Sequence, residues 1–259
     1  MNLTVLTENV AGSRFLAEHG LSYLIELNGD KILFDAGHSD IFLKNAQAMR
    51  LDLYQVKIVA LSHGHWDHGD GLKYLENKTL IAHPGIFIKR FRKGGNVNIG
   101  LKMTSEEIKK KFKFIPAPAP FAIRPDLIFL GEIPRANDFE SKTTPFVDEY
   151  DQPDFVPDDS ALAVVSPKGL IIVTGCSHSG ICNIIEHAKK VAGLSRVYAV
   201  IGGFHLKHHD AQTRQTIDYL KEQDIEHILP AHCTELPAMT AFYGQFGITQ
   251  VKTGMQLNF

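Results

Sequence analysis

The stretch LSHGHWDHGDGL, residues 61–72, places four potential metal ligands, His63, His65, Asp67 and His68, within six residues. Imidazole and carboxylate together suit zinc, iron or manganese rather than an ion that takes oxygen alone. The preceding run VKIVAL (56–61) is short and apolar and stops at a polar, glycine-flanked turn, which reads as a buried strand delivering a loop. If the chain stays extended, His63 and His65 face the same way, and Asp67 and His68 lie in the turn beside them. Gly64, Gly69 and Gly71 allow tight turning and close backbone approach. A polar surface loop is the bland alternative. Three histidines and an aspartate directly behind a buried strand favour a metal centre.

Upstream of this loop, residues 3–6 read as a strand leading into Glu8-Asn9 and a loop with Glu18 and His19. LSYLIEL (21–27) and KILFD (31–35) read as a hairpin turning at Asn28-Gly29. Asp35 closes the second strand, and 41–50 has helical spacing. Downstream, a helix starts over 69–76, and a strand at 80–82 ends at His83-Pro84. Residues 91–157 read as an insertion or lid, with a helix at 104–113 opened by Thr104-Ser105-Glu106-Glu107, a strand at 127–130 and a long acidic, proline-dotted loop. That loop, 132–158, is expected to cover the site or to mediate contact between copies.

From Ser160 the style of the first half returns. A second hairpin (161–166 and 169–174) opens onto the glycine-bounded loop GCSHSG (175–180) and a helix at 181–191. Strands at 196–201 and 227–229 end at Gly202-Gly203-Phe204-His205 and Pro230-Ala231-His232-Cys233, followed by helices at 210–223 and 237–246 and a terminal strand at 248–252. In both halves strands end in histidine-bearing loops and helices carry the chain back. That pattern predicts one α/β domain over 1–259, a four-layer αββα sandwich of two mixed sheets with outer helices and the site at one edge. His178 and His232 are then further ligand candidates. His205 is a ligand, a substrate contact or a proton carrier, and His19 lies in a loop between strands.

The composition is that of a soluble globular chain, 44% hydrophobic and 22% charged, and 259 residues are ample for a substantial core. A net charge of −2 gives no electrostatic reason to expect nucleic acid or an anionic membrane as partner. The basic clusters at 89–93 and 109–113 read first as a solvated face, with a substrate phosphate as their functional alternative. Three cysteines, odd in number and not in paired metal spacing, argue against a disulfide scaffold and fit a reducing cytoplasm. There is no signal layout at the N-terminus and no apolar run long enough to span a bilayer.

The H-x-H-x-D-H pattern resembles the signature of the metallo-β-lactamase fold superfamily. In that family the first two histidines bind one metal, and the aspartate and third histidine serve a second. The blocks TEN (7–9), EHGLSYLIE (18–26), FDAG (34–37), DDSAL (158–162), GCSHSGI (175–181), GGFHL (202–206) and HCT (232–234) resemble one branch, the archaeal pterin–aminobenzene ribosyl phosphate synthases. The resemblance covers nearly the whole chain. It implies that His63, His65 and His178 hold one divalent metal, with Asp67, His68 and His232 holding a second or positioning water. It implies that Asp35 supports the loop from behind, and that Glu8, Asn9 and His19 line the rim. One departure stands out: many superfamily hydrolases carry a metal-bridging aspartate where this chain has Cys176, a softer donor.

The expected activity is therefore that of a hydrolase or transferase using one or two ions (zinc, with manganese, magnesium or iron as alternatives) on a phosphorylated small molecule. Asp67 is the expected proton acceptor, and His205 stabilises or protonates the leaving group. If the branch resemblance extends to activity, an aminobenzoate derivative displaces the pyrophosphate of phosphoribosyl pyrophosphate and loses CO2. The alternatives are a generic phosphodiesterase or lactonase and, from another class, a non-catalytic metal-binding or di-iron redox module. A homo-oligomer is an open expectation.

Overall fold

The computed structural model describes residues 1–259, which fold as two compact units. The first comprises Met1–Pro118, Pro145–Asp154 and Val251–Phe259, and the second Ala119–Thr144 and Phe155–Gln250.

In the first unit, β1 (Asn2–Thr7), β2 (Ser22–Leu27) and β3 (Asp30–Phe34) run antiparallel, followed by α1 (Ile41–Ala48), β4 (Ile58–Leu61), the single turn α2 (Trp66–Gly69) and β5 (Lys78–Ala82). Then come β6 (Arg90–Arg92), α3 (Ser105–Lys111) and β7 (Phe112–Pro116). The hairpin turns at Asn28 and Gly29, both at positive φ, as the Asn-Gly pair predicts. β3, β4, β5 and β7 are parallel neighbours, which brings the ends of β3 and β4 side by side. Tyr23, Leu24 and Ile25 are all fully buried, so this strand hides both faces and reads as an apolar run rather than an alternation. Leu24, Leu33, Val59 and Leu80 share a core with Phe42 and Ala46 of α1 and Ile108 of α3.

The second unit contains β8 (Phe121–Arg124) and β9 (Leu127–Phe129). After β10 (Phe146–Asp148), which belongs to the first unit and pairs with β6, come β11 (Ala161–Ser166) and β12 (Gly169–Thr174). Helices α4 (Ile181–Ala192), α5 (Ala211–Glu222) and α6 (Leu236–Phe246) alternate with β13 (Val197–Gly203) and β14 (His227–Ala231). The sheet order is β14-β13-β12-β11-β9-β8, parallel through β12 to β14 and antiparallel beyond. Ile184 and Ile185 of α4, Leu220 of α5 and Phe242 of α6 pack on Leu170, Ile172 and Val200.

Three local readings are corrected. The expected strand at 248–252 is not one: β15 is Gln256–Asn258 and lies antiparallel to β1. The helix expected over 69–76 starts earlier, at Trp66, and continues from Asp70 to Tyr74 as a 3-10 helix. The helix at 104–113 stops at Lys111, because Phe112 turns extended and starts β7. β7 is an edge strand, where Pro116 removes no hydrogen bond the sheet needs. Residues 91–157 thus supply edge strands as well as loops. No helix is long and apolar enough to cross a membrane.

Candidate metal centre

Asp35 follows β3 in the left-handed conformation (φ 57°) and is fully buried. Its Oδ1 accepts the Ser62 N–H at 2.7 Å, and its Oδ2 accepts the Ser62 hydroxyl, also at 2.7 Å. His68 Nδ1 lies 2.7 Å from the same Oδ2. A carboxylate only accepts, so His68 carries its proton on Nδ1 and turns the Nε2 lone pair away from Asp35. The single Ser62 proton is committed to Asp35. At the 2.9 Å contact between Ser62 Oγ and His63 Nδ1, it is therefore His63 that donates, which leaves a lone pair on its Nε2 as well. One buried aspartate and one serine thus set the tautomers of two histidines. Asp35 supports the loop from behind, as expected; Ser62 was missed, although the sequence places it directly before His63.

His63 Nε2 approaches His65 Nδ1 at 2.9 Å, and the His63 and His68 rings lie 4.2 Å apart. Burial, reinforced by His68 and His65, holds the His63 imidazole well below its usual range, so it is neutral. A neutral His63 imidazole with its Nε2 lone pair forward, beside His65, His68 and the Asp67 carboxylate, is a donor set that fits a divalent ion. Asp67 Oδ2 sits 3.9 Å from His68 Nε2 and 3.2 Å from Nε2 of the half-exposed His19. Gly64 has no room for a side chain, since a Cβ there would lie 2.1 Å from the Ile86 carbonyl oxygen. Ile99–Leu101 of the expected lid brace the loop, through Trp66 N–H to the Ile99 carbonyl and Leu101 N–H to the Gly64 carbonyl. Phe146 packs against His65 with ring centres 4.9 Å apart.

Of the residues expected at the rim, His19 joins this constellation. Glu8 is buried and its carboxylate accepts the Val10 N–H, while Asn9 accepts the Gly20 N–H, so both also hold the loop in shape. Arg90 is not a solvated cation: it is fully buried and ion-paired with Asp154. Lys89 pairs with Glu149.

In the second unit, the parallel strands β12, β13 and β14 end in register, so their following loops emerge side by side. Ser177, His205 and His232 each adopt positive φ (56°, 49° and 50°), an unfavourable conformation for residues with side chains. The His178 and His205 rings lie 4.4 Å apart. Ser177 Oγ donates to the Gly203 carbonyl at 2.6 Å, and buried Asp159 accepts the Ser179 N–H at 2.9 Å. Burial raises the Asp159 carboxyl to about 6. For Cys233 burial works upward, but hydrogen bonds from Cys176 and His205 and the His205 and His232 charges outweigh it and hold the thiol well below its usual value. Glu140, whose carboxylate accepts the Cys182 and Asn183 N–H groups, and Asp159 were missed because each acts on a segment distant in sequence. His187 and His227 hydrogen-bond to the Leu130 carbonyl and the Tyr198 hydroxyl, and His208 and His209 are exposed, so these four serve elsewhere.

The metallo-beta-lactamase superfamily model matches residues 17–232. An uncharacterised protein of Methanocaldococcus jannaschii is 39% identical over 249 residues, 92% of each chain. From the same organism, 7,8-dihydropterin-6-methyl-4-(beta-D-ribofuranosyl)-aminobenzene-5'-phosphate synthase is 34% identical over 271 aligned positions, covering 95% of this chain and 92% of that one. The crystal structure of Tm1679, described as a metal-dependent hydrolase of the beta-lactamase superfamily, matches with a TM-score of 0.89 and 29% identity over 100% of this chain and 99% of that chain. The two mixed sheets with their helices therefore have the α/β fold anticipated from the histidine loop, and the chain belongs to the metallo-beta-lactamase superfamily.

Proposed function

We propose that this chain is a metal-dependent enzyme acting on a phosphorylated small molecule, with His63, His65 and His178 as ligands of one divalent ion and Asp67, His68 and His232 as ligands of a second. The observation that carries this reading is the hydrogen-bond relay from Asp35 through Ser62 to His63 and directly to His68, which turns two Nε2 lone pairs to one side. Zinc suits the imidazole-rich set; manganese, magnesium and iron are the alternatives. When bound, such an ion polarises a phosphoryl oxygen and acidifies water. Asp67 accepts the proton of the attacking group, and His19, 3.2 Å away and half exposed, passes it to solvent. His205 meets the charge that develops on the leaving group.

Identity to the synthase supports transfer of a ribosyl phosphate, and the likeness to the metal-dependent hydrolase supports hydrolysis, with a phosphodiester or a lactone as the candidate substrate. Both use the same ligands. The test is metal content of protein purified without chelator, beside a His65→Ala variant. Turnover is then assayed on bis(p-nitrophenyl) phosphate, on a homoserine lactone, and on phosphoribosyl pyrophosphate with 4-aminobenzoate. Zinc or manganese bound together with turnover on any of the three, both lost in the variant, is the expected result. Metal-free protein that cannot be loaded overturns the ligand assignment.

A further inference from the structure

The first unit holds a cavity of about 280 Å³ that shares no residue with the metal centre. It is lined by Leu53 and Tyr54 from the segment before β4, by Lys73, Tyr74 and Leu75 before β5, by Lys78 at the first position of β5 and by Lys111 directly before β7. β4, β5 and β7 run parallel, so the cavity lies where these strands begin. The histidine loop follows β4 at the opposite end. Lys111 belongs to the basic cluster at 109–113, which is thereby placed away from the histidine loop.

Three lysines line the cavity against one carboxylate, Glu76, which gives it positive charge in a chain of net charge −2. Two of the ammonium groups are held by neutral carbonyls. Lys78 Nζ donates to the Val56 carbonyl at 2.6 Å and to the Leu53 carbonyl at 3.2 Å, and Lys111 Nζ donates to the Lys73 carbonyl at 2.6 Å. A carbonyl fixes an ammonium without cancelling its charge, and each ammonium has three N–H groups, so both keep donors for an incoming anion. Burial lowers Lys78 from its usual range, against the pull of Asp52. The Asp52 carboxylate itself accepts the Tyr54 N–H at 2.9 Å and the Gln55 side-chain amide at 3.1 Å.

The cavity also carries aromatic surface that the fold leaves in water. Tyr54 is 96% exposed and Tyr74 45%, and Lys73 Nζ lies 4.9 Å from the Tyr74 ring centre. Buried Leu53 and Leu75 add apolar lining. Exposed rings beside ammonium groups suit a ligand that stacks a planar ring and presents a phosphate. The volume is close to the lower limit of ligand pockets, about 300 Å³, which suits a mononucleotide rather than a dinucleotide. From these observations we propose that this cavity binds a mononucleotide, with its phosphate on Lys78 and Lys111 and its base stacked against Tyr54 and Tyr74.

Adenosine monophosphate is the probe, titrated by calorimetry into metal-loaded protein and into His65→Ala. Both bind it, about tenfold more tightly than adenosine or ribose 5-phosphate, because each of these lacks one of the two recognised groups. Tyr54→Ala, at a solvated position that the fold does not need, weakens binding about tenfold, and the exposed Lys73→Glu weakens it as well. In the unaltered protein, 8-azidoadenosine monophosphate crosslinks on illumination to the peptides that carry Tyr54 or Tyr74, read by mass spectrometry. Absence of binding overturns the site, and so does a titration that either variant leaves unchanged. Adenosine or ribose 5-phosphate binding as tightly as the nucleotide overturns the ligand class. Crosslinking confined to the loop at 61–72 shows capture by the metal centre and overturns the site too. Because His65→Ala removes a ligand of the first loop and leaves this cavity untouched, failure here is distinguishable from failure of the functional reading above.

Discussion

Asp35 makes three contacts of 2.7 Å with Ser62 and His68 from a fully buried position. Asp35→Ala strands three donors in the interior, at about 1–3 kcal/mol for each one left unmet. Zinc affinity falls on the order of 10–100-fold, the usual effect of losing a ligand's hydrogen-bond partner, as read by competition with a chromophoric chelator. Ser62→Ala frees the His63 tautomer and weakens zinc binding while the fold, followed by circular dichroism, survives. Asp159 carries a pH signature. Its folded value of about 6 lies above the reference of 3.8, so its contribution to stability is fully present below pH 3.8 and is lost as pH rises through about 6. The span corresponds to ~3 kcal/mol at 1.36 kcal/mol per unit. Asp159→Asn, which can still accept the Ser179 N–H, flattens this loss. Urea unfolding of chelator-treated protein from pH 4 to 7 is the measurement, and parallel profiles for the two proteins would refute the assignment.

At the scale of elements, α4 begins without a side-chain cap from its own N-cap residue, Gly180. Glu140, forty residues upstream, supplies the cap instead: its Oε1 accepts the Cys182 N–H and its Oε2 the Asn183 N–H, each at 2.9 Å. A Cβ on Gly180 would lie 2.3 Å from the Glu140 carboxylate, and its φ of 98° disfavours any other residue. Glu140→Ala should therefore cost about 2 kcal/mol, the upper range for a lost cap. Thermal unfolding measures it, with Glu140→Gln retaining most of the stability. By contrast α3 carries its cap locally, in the reciprocal Thr104–Glu107 box. That start was legible in the sequence because both partners lie within one turn. The cap of α4 was not legible, because nothing near Gly180 in the sequence points to Glu140.

For the molecule as a whole, metal binding and stability are linked. An ion that binds only the folded chain adds about 4 kcal/mol when present at a thousand times its dissociation constant. Zinc is therefore expected to raise the melting temperature, chelator to lower it, and His65→Ala to blunt the response. Calorimetry with and without zinc reads this directly, and an unchanged melting temperature at saturating zinc would contradict binding at a folded site.

The sequence by itself determined the features whose partners lie within a few residues of one another. The Asn28-Gly29 turn, the start of α3, the histidine loop and the alternation of hairpin, helix and parallel strand were readable because backbone preferences and short spacings act locally. The tertiary structure decided the rest. It moved the last strand from 248–252 to Gln256–Asn258, where β1 offers an open edge. It drew β7 out of a stretch that resembles a helix end. It buried Arg90 against Asp154 and brought Asp35 behind His68. It also set Cys176, Cys233 and His205 together across three strand ends. Each of these depends on chain segments far apart in sequence meeting in space, and strand order and register, not residue spacing, set which segments meet.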